Sequence, residues 1–197
     1  MGNAVSCFNT MKKYQREFSE LSDALVASYH HYEIWWVYKN EREKYYNIMN
    51  KYLMFFSVSL SAHFISMLMA ISCLIDERYI GIKSLYKKMK NENMLSLSEV
   101  KNIDKKFSEL SNIIKGIRIL RGSVFAHISN KIDSESAFLK ANLKYDDFKE
   151  LIYSLGEIFN MMRIANGMNI LGFNINSSKV DTNQLLNDLI DYKNSTN

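Results

Sequence analysis

Proline is missing from all 197 residues, and glycine occurs only seven times. Tight turns draw heavily on both, so a sandwich or barrel made of many short hairpins is excluded. Cysteine is almost as scarce. Cys7 and Cys73 are too few for a disulfide framework or a four-ligand zinc site, and a reducing cytoplasm suits such a chain. Three of the possible metal ligands, His30, His31 and Glu33, gather in "YHHYE". Consecutive helical residues point about 100° apart, and no second cluster completes a site, so no metal or cofactor is expected. A secretory leader is not expected either, because "MGNAVSCFNTMKKYQREF" holds no sustained apolar segment. That same start fits the short N-myristoylation pattern, with Cys7 as a second acylation point and Lys12 and Lys13 nearby. In a cell with the acyltransferase it would describe a peripheral membrane anchor.

The composition is that of a soluble globular protein, 47% hydrophobic and 23% charged, and the length suits a single domain over residues 1–197. Charge is unevenly spread. Residues 83–131 hold eleven Lys and Arg against four acidic side chains, a local charge of +7 on a chain whose total is +4. A basic stretch on a near-neutral body fits a polyanion such as RNA, and it equally fits a solvated lysine-rich face.

Helical periodicity runs through almost the whole chain. Phe18, Leu21, Leu25, Tyr29, Tyr32 and Trp36 recur at steps of three and four within a pattern over about 8–46, which leaves room for a break near "SYHHYE". A second pattern, from about Tyr46 to Asp76, contains 23 residues without a formal charge, Leu53 to Ile75. That is long enough to span a bilayer. Five serines and His63 interrupt it, however, with Ser57, Ser61 and Ser72 on one face and Ser59, His63 and Ser66 nearly opposite. The expected role is therefore a core helix enclosed by neighbours on both sides rather than a membrane span, with no membrane partner expected and His63 a hydrogen-bonded core histidine. "DERYIGIKSLYKKMKNEN" reads as a short basic helix and loop. A third major helix runs from about 99, with Ser98 as its N-cap and an incomplete capping box, since Lys101 stands where Glu is wanted. "SNKIDSESAF" reads as a connection. A fourth helix starts near "YDDFKELI", with Phe148, Leu151, Leu155, Phe159 and Met162 as its apolar stripe, and a short final helix is expected near 182–192. The fold class is all-α, a bundle of four principal helices with short extra ones.

One helix breaks its own pattern. Phe107, Leu110, Ile113, Ile114, Ile117, Leu120 and Val124 share one broad face, and Arg121 projects from within it. Arg118 borders that face on one side and His127 on the other. A buried guanidinium without a partner is expensive, so Arg121 must meet a carboxylate, such as Asp76 or Glu157, or face a wet groove.

The segment "RGSVFAH" resembles the Arg-(four to six residues)-His motif of HEPN domains, α-helical domains widespread in RNA-cutting toxins and antiviral systems. Together with "MLMAISCLIDER", a short Lys/Leu-rich helix and "LRGSVFAHISNKID", it is similar to the abortive-infection U branch of those proteins. The resemblance covers a core of about 10–166 and leaves 167–197 as a C-terminal extension. It implies a homodimer in which two Arg121–His127 pairs line one groove. His127 would be the base for a ribose 2′-hydroxyl and Arg121 the cation for the phosphorane-like transition state. RNA is the implied partner, with Lys115, Arg118 and Lys131 as further RNA-binding cations, and an antitoxin or defence-system component as a second partner. The implied activity is metal-independent RNA cleavage leaving 2′,3′-cyclic phosphate ends. Two departures stand out. Gly122 replaces the polar residue, often Asn, that commonly follows the motif Arg in active members. Ser129 stands where another HEPN group has a Tyr modified by a partner nucleotidyltransferase. A non-catalytic HEPN module binding RNA, nucleotide or protein is the alternative, and a membrane-associated helical protein the third reading.

Overall fold

The computed structural model describes residues 14–78, 80–126, 134–172 and 177–195. Among these, nine helices and no strand are found: α1 (Gln15–Asn40), α2 (Tyr46–Lys51), α3 (Leu53–Leu74), α4 (Ile82–Asn91), α5 (Leu97–Glu109), α6 (Ser111–Ala126), α7 (Ser134–Ala141), α8 (Tyr145–Ala165) and α9 (Ser177–Ser195). The all-α reading is therefore correct. The chain forms two compact units, one from residues 1–25 and 69–172, the other from 26–68 and 173–197.

The first unit is organised by α8. Phe148, Leu151, Leu155, Phe159 and Met162 are all fully buried, as the stripe predicts, and Phe18 of α1 meets Phe159 with ring centroids 5.5 Å apart. Asp147 accepts a hydrogen bond from the Lys144 backbone N–H at 2.7 Å, closing the amino end of α8. The helix expected from residue 99 is really two. Leu110 ends α5, and the apolar series resumes in α6 with Ile117 and Leu120 fully buried. The break is invisible in the pattern because Leu110 itself keeps the register and is buried. The N-cap is Ser96, not Ser98. The Ser96 hydroxyl accepts from the Glu99 backbone, and the Glu99 carboxylate accepts from the Ser96 N–H at 2.7 Å, a complete capping box. The reading from Ser98 was out of step by two residues, so it put Lys101 where Glu99 belongs. "SNKIDSESAF" is not all connection either, since α7 begins at Ser134.

In the second unit, Val37, Tyr38, Tyr45, Ile48, Met49, Phe56 and Leu186 form the core. "SYHHYE" does not break α1, because its polar side chains find partners on other elements. His30 Nδ1 lies 2.6 Å from Ser178 Oγ, and Glu33, buried, accepts from the Lys179 backbone N–H at the start of α9. That α9 spans nineteen residues rather than the eleven of 182–192 has the same kind of cause. Thr182 bonds back to the Ser178 carbonyl, and the Tyr45 hydroxyl reaches Asn183 and Asn187.

The core role expected of α3 holds towards its carboxyl end, where Met67, Leu68, Ile71 and Leu74 are fully buried, and fails towards its amino end. The helix is long and apolar enough to cross a membrane by length and composition, and its most apolar window is only 22% buried. Within the second unit it is not enclosed. Phe56 points inward, whereas Met54, Phe55 and Val58 are 76, 62 and 63% exposed. Serines on two faces suggest neighbours on both sides. Ser61 instead satisfies its hydroxyl on the Ser57 carbonyl of its own helix at 3.0 Å, and needs no neighbour.

His63 is hydrogen-bonded, as expected, but to another histidine. His31 Nδ1 and His63 Nδ1 are 2.9 Å apart, so one ring donates and the other accepts, and the pair requires an unprotonated acceptor. Burial, followed by a neighbouring histidine's charge, pushes both pKa values below the ordinary 6.5. A histidine depressed in the folded state binds its proton more readily when unfolded. Stability is thus full above the unfolded value and falls as pH drops below about 6.5. The melting temperature is expected to fall between pH 7.5 and pH 5, and His63→Asn to flatten that slope; equal slopes would show that the pair is not responsible.

Candidate functional site

In α6, Ile117 and Leu120 anchor the helix to the first unit's core, and Gly116 lets α7 approach. A Cβ at Gly116 would sit 2.7 Å from the Ala141 carbonyl oxygen and from side-chain carbons of Leu143. These contacts fix the rotation of α6 and so decide where Arg121 points. It points into a cleft. One chamber of about 600 Å³ is walled by Leu21 and Ala24 of α1, Met69, Ser72 and Cys73 of α3, and Ile80, with Glu20, Asp76 and Arg121 as its charged groups. An adjoining chamber of about 430 Å³ is lined by Ser72, Ile75, Asp76, Glu77, Arg78, Arg118 and Arg121. Ser72, Asp76 and Arg121 belong to both.

Neither carboxylate suggested for Arg121 pairs with it. Asp76 accepts from the Arg78 backbone N–H at 2.6 Å and lies 3.9 Å from its guanidinium, while Glu157 accepts from Lys106 at 2.7 Å. Among the described residues Arg121 has no hydrogen-bond acceptor and no carboxylate within 4 Å. Among the described residues the half-buried guanidinium faces open space, so neither Asp76 nor Glu157 supplies the salt bridge and the groove is what it lines.

Arg118 behaves differently. It donates to Glu77 Oε1 at 2.8 Å and to the Ile75 carbonyl at 3.3 Å. Glu77 also receives Lys87 at 3.2 Å and Lys83 at 3.4 Å, and this cationic surround, Arg118 foremost, lowers its pKa from 4.5 to about 2. Such a carboxylate stays ionised throughout the physiological range, and its stabilising effect is lost only as pH falls from about 4.5 towards 2. Lys115 is exposed and lines neither chamber. His127 and Lys131 lie outside the described residues.

The basic stretch is less free than its count suggests. Lys83, Lys87, Lys88, Lys90, Lys105, Lys106 and Arg118, seven of its eleven cations, are paired with carboxylates. Sequence reasoning singled out Arg121 and Arg118 but missed Glu20, Glu77 and Arg78. The signal for the last two was present in "DER", the first charged residues after the uncharged run that ends at Ile75. Among the described residues no group of three or more His, Cys, Asp or Glu side chains could hold a metal ion.

No curated protein and no solved structure matches the chain. A family model does, the HEPN family AbiU2, over residues 11–192. With the helices, the motif arginine and nearly the whole length in agreement, the chain belongs to the AbiU2 family of HEPN proteins.

Proposed function

We propose that the protein is a metal-independent endoribonuclease of HEPN type, working in the cytoplasm as a toxin or abortive-infection effector. The observation that carries this reading is Arg121, a guanidinium without a carboxylate partner among the described residues, set between an apolar and an arginine-lined chamber, six positions before His127. A fixed planar cation forks onto two phosphate oxygens and offsets charge that builds on a phosphorane-like transition state. Histidine titrates near neutrality and suits proton transfer. In the proposed step His127 takes the ribose 2′-hydroxyl proton, and the 2′ oxygen attacks phosphorus. The bond to the 5′ oxygen breaks, that oxygen takes a proton from water, and His127 returns its own to the solvent, so one proton passes in net from the 2′ to the 5′ oxygen. A 2′,3′-cyclic phosphate and a 5′-hydroxyl result, with atoms balanced and no co-reactant.

RNA is the proposed substrate. Lys115, Arg118 and Lys131 are proposed to contact its backbone, Arg118 only by exchanging Glu77 for a phosphate. A two-fold homodimer with converging Arg121–His127 pairs completes the reading, and an antitoxin or other defence component is the proposed further partner. The test is incubation of purified protein with single-stranded RNA in excess chelator, followed by mass analysis of the product ends. Cyclic phosphate termini that vanish in His127→Ala are expected. Cleavage that persists in that variant would sink the assignment.

One observation favours a second reading, a non-catalytic HEPN module. Gly122 is exposed, and beyond its chain neighbours and its own helix backbone no described atom lies within 4 Å of where its Cβ would sit. Packing therefore does not demand glycine there, and its presence leaves out the polar side chain common in active members. Gly122→Asn is expected to fold, to gain a few tenths of a kcal/mol of helix propensity, and to raise cleavage. If both proteins are folded and neither cuts RNA, the binding module is the better description.

A further inference from the structure

The two chambers that meet at Arg121 differ in chemistry. One holds Arg121 beside two arginines that are paired, Arg78 with Asp76 and Arg118 with Glu77, and its unpaired guanidinium suits phosphate. The other has apolar walls from Leu21, Ala24, Met69 and Ile80, and its volume of about 600 Å³ falls within the range of small-molecule sites. A flat, apolar-faced group carrying an anion on one side matches that pair, and a nucleotide is such a group. The polar groups of the apolar chamber narrow the choice. Its acidic members, Glu20 and Asp76, can only accept hydrogen bonds. Asp76 is engaged with Arg78. Glu20 is held only through Oε1, by Arg16 at 2.6 Å, and Arg16 is itself 81% exposed. Oε2 of Glu20 has no partner among the described residues.

We infer that this chamber receives one unstacked guanine base, with Glu20 reading its edge and the attached phosphate on Arg121. Guanine presents N1–H and the N2 amino group side by side, two donors that match the two oxygens of a carboxylate. Its O6 accepts, and Arg121 is a donor lining the same space. Adenine and cytosine set a ring-nitrogen lone pair beside their amino group, and uracil flanks its single N–H with two carbonyls. Each would hold a lone pair against the carboxylate. A site built to bond a donor rejects a base that lacks it, because its own polar group is then left unsatisfied. A base inside the chamber cannot also be stacked in a duplex, so the occupant is a single-stranded guanosine.

This inference rests on the reading of the cleft as an RNA site, and its test is independent of cleavage. The full-length protein is titrated calorimetrically with the 3′-monophosphates of guanosine, adenosine, cytidine and uridine. Guanosine 3′-monophosphate is expected to bind best. Glu20→Gln, at a half-exposed position, is expected to cut that preference by about tenfold. Ala24→Phe is expected to fill the chamber and abolish binding, while circular dichroism confirms that the helices remain. Equal binding of all four nucleotides, no binding of any, or wild-type binding by Ala24→Phe would overturn the inference. Selective guanosine binding without any RNA cleavage would leave it standing and remove the nuclease reading. His127-dependent cleavage with indifferent nucleotide binding would do the reverse.

Discussion

Replacing His127 with alanine is expected to lower RNA cleavage by about 10²–10⁴-fold, the usual cost of losing a general acid–base group. Arg121→Lys should come close to it, although the charge is kept. Among the described residues no carboxylate uses the fork of Arg121, which stands between two chambers, and an ammonium offers a point charge where two parallel donors are needed. Neither change should disturb folding through Arg121, whose loss breaks no ion pair among the described residues. Arg118→Ala should behave differently. It strips Glu77 of its strongest partner and leaves the carboxylate to Lys83 and Lys87, so it should cost stability as well as RNA affinity. Single-turnover cleavage rates beside thermal melts separate the cases. An Arg121→Lys protein with an unchanged rate would show that the guanidinium fork plays no part.

Gly81→Ala is expected to destabilise the protein by about 3 kcal/mol, the upper range for forced overpacking. A Cβ there would fall on the Asp76 carbonyl oxygen and 2.8 Å from its carbon. Those are backbone atoms of a short loop, not the yielding end of a side chain. Making room means opening the turn that carries Asp76, Glu77 and Arg78, so the variant should lose the arginine-lined chamber along with stability. Gly122→Ala is the matched control. It adds the same methyl group to open space within a helix and should stabilise by about 0.5–1 kcal/mol. Opposite shifts in the denaturant midpoint are the expected result, and a pair of shifts with the same sign would contradict the close approach at Gly81.

Much of the fold was legible because local pattern and burial coincide. The α8 stripe is one case, and the apolar face of α6 another, since each needed only a period and a run of aliphatic residues. The features that escaped are those decided by partners distant in sequence. His30, His31 and Glu33 look like a weak point in α1 until Ser178, His63 and Lys179 are placed beside them. The exposed side of α3 escaped for a different reason. Hydropathy counts apolar residues without saying which way they face, and a serine that bonds its own helix looks like one that faces a neighbour. At the site, Arg121 was conspicuous because a guanidinium on an apolar face violates a pattern. Glu77 was not, because one acid among many lysines looks ordinary until three cations converge on it.

The pairing of the basic stretch bears on how salt should affect any polyanion complex. A polyanion gives up counterions in proportion to the cations that reach its phosphates, by about 0.7 in log–log slope per contact on a single strand. The eleven basic residues between 83 and 131 suggest a steep dependence. With seven tied to carboxylates, Lys101, Lys115 and Arg121 are the described cations of that stretch left to neutralise phosphate. Those three contacts correspond to a slope of about −2, and Arg118 and Lys131, proposed as further contacts, would bring it to about −3.5, still well short of what eleven would give. Attachment to a polyanion would therefore weaken gently between dilute and cellular salt, and little of its free energy would come from the ion atmosphere.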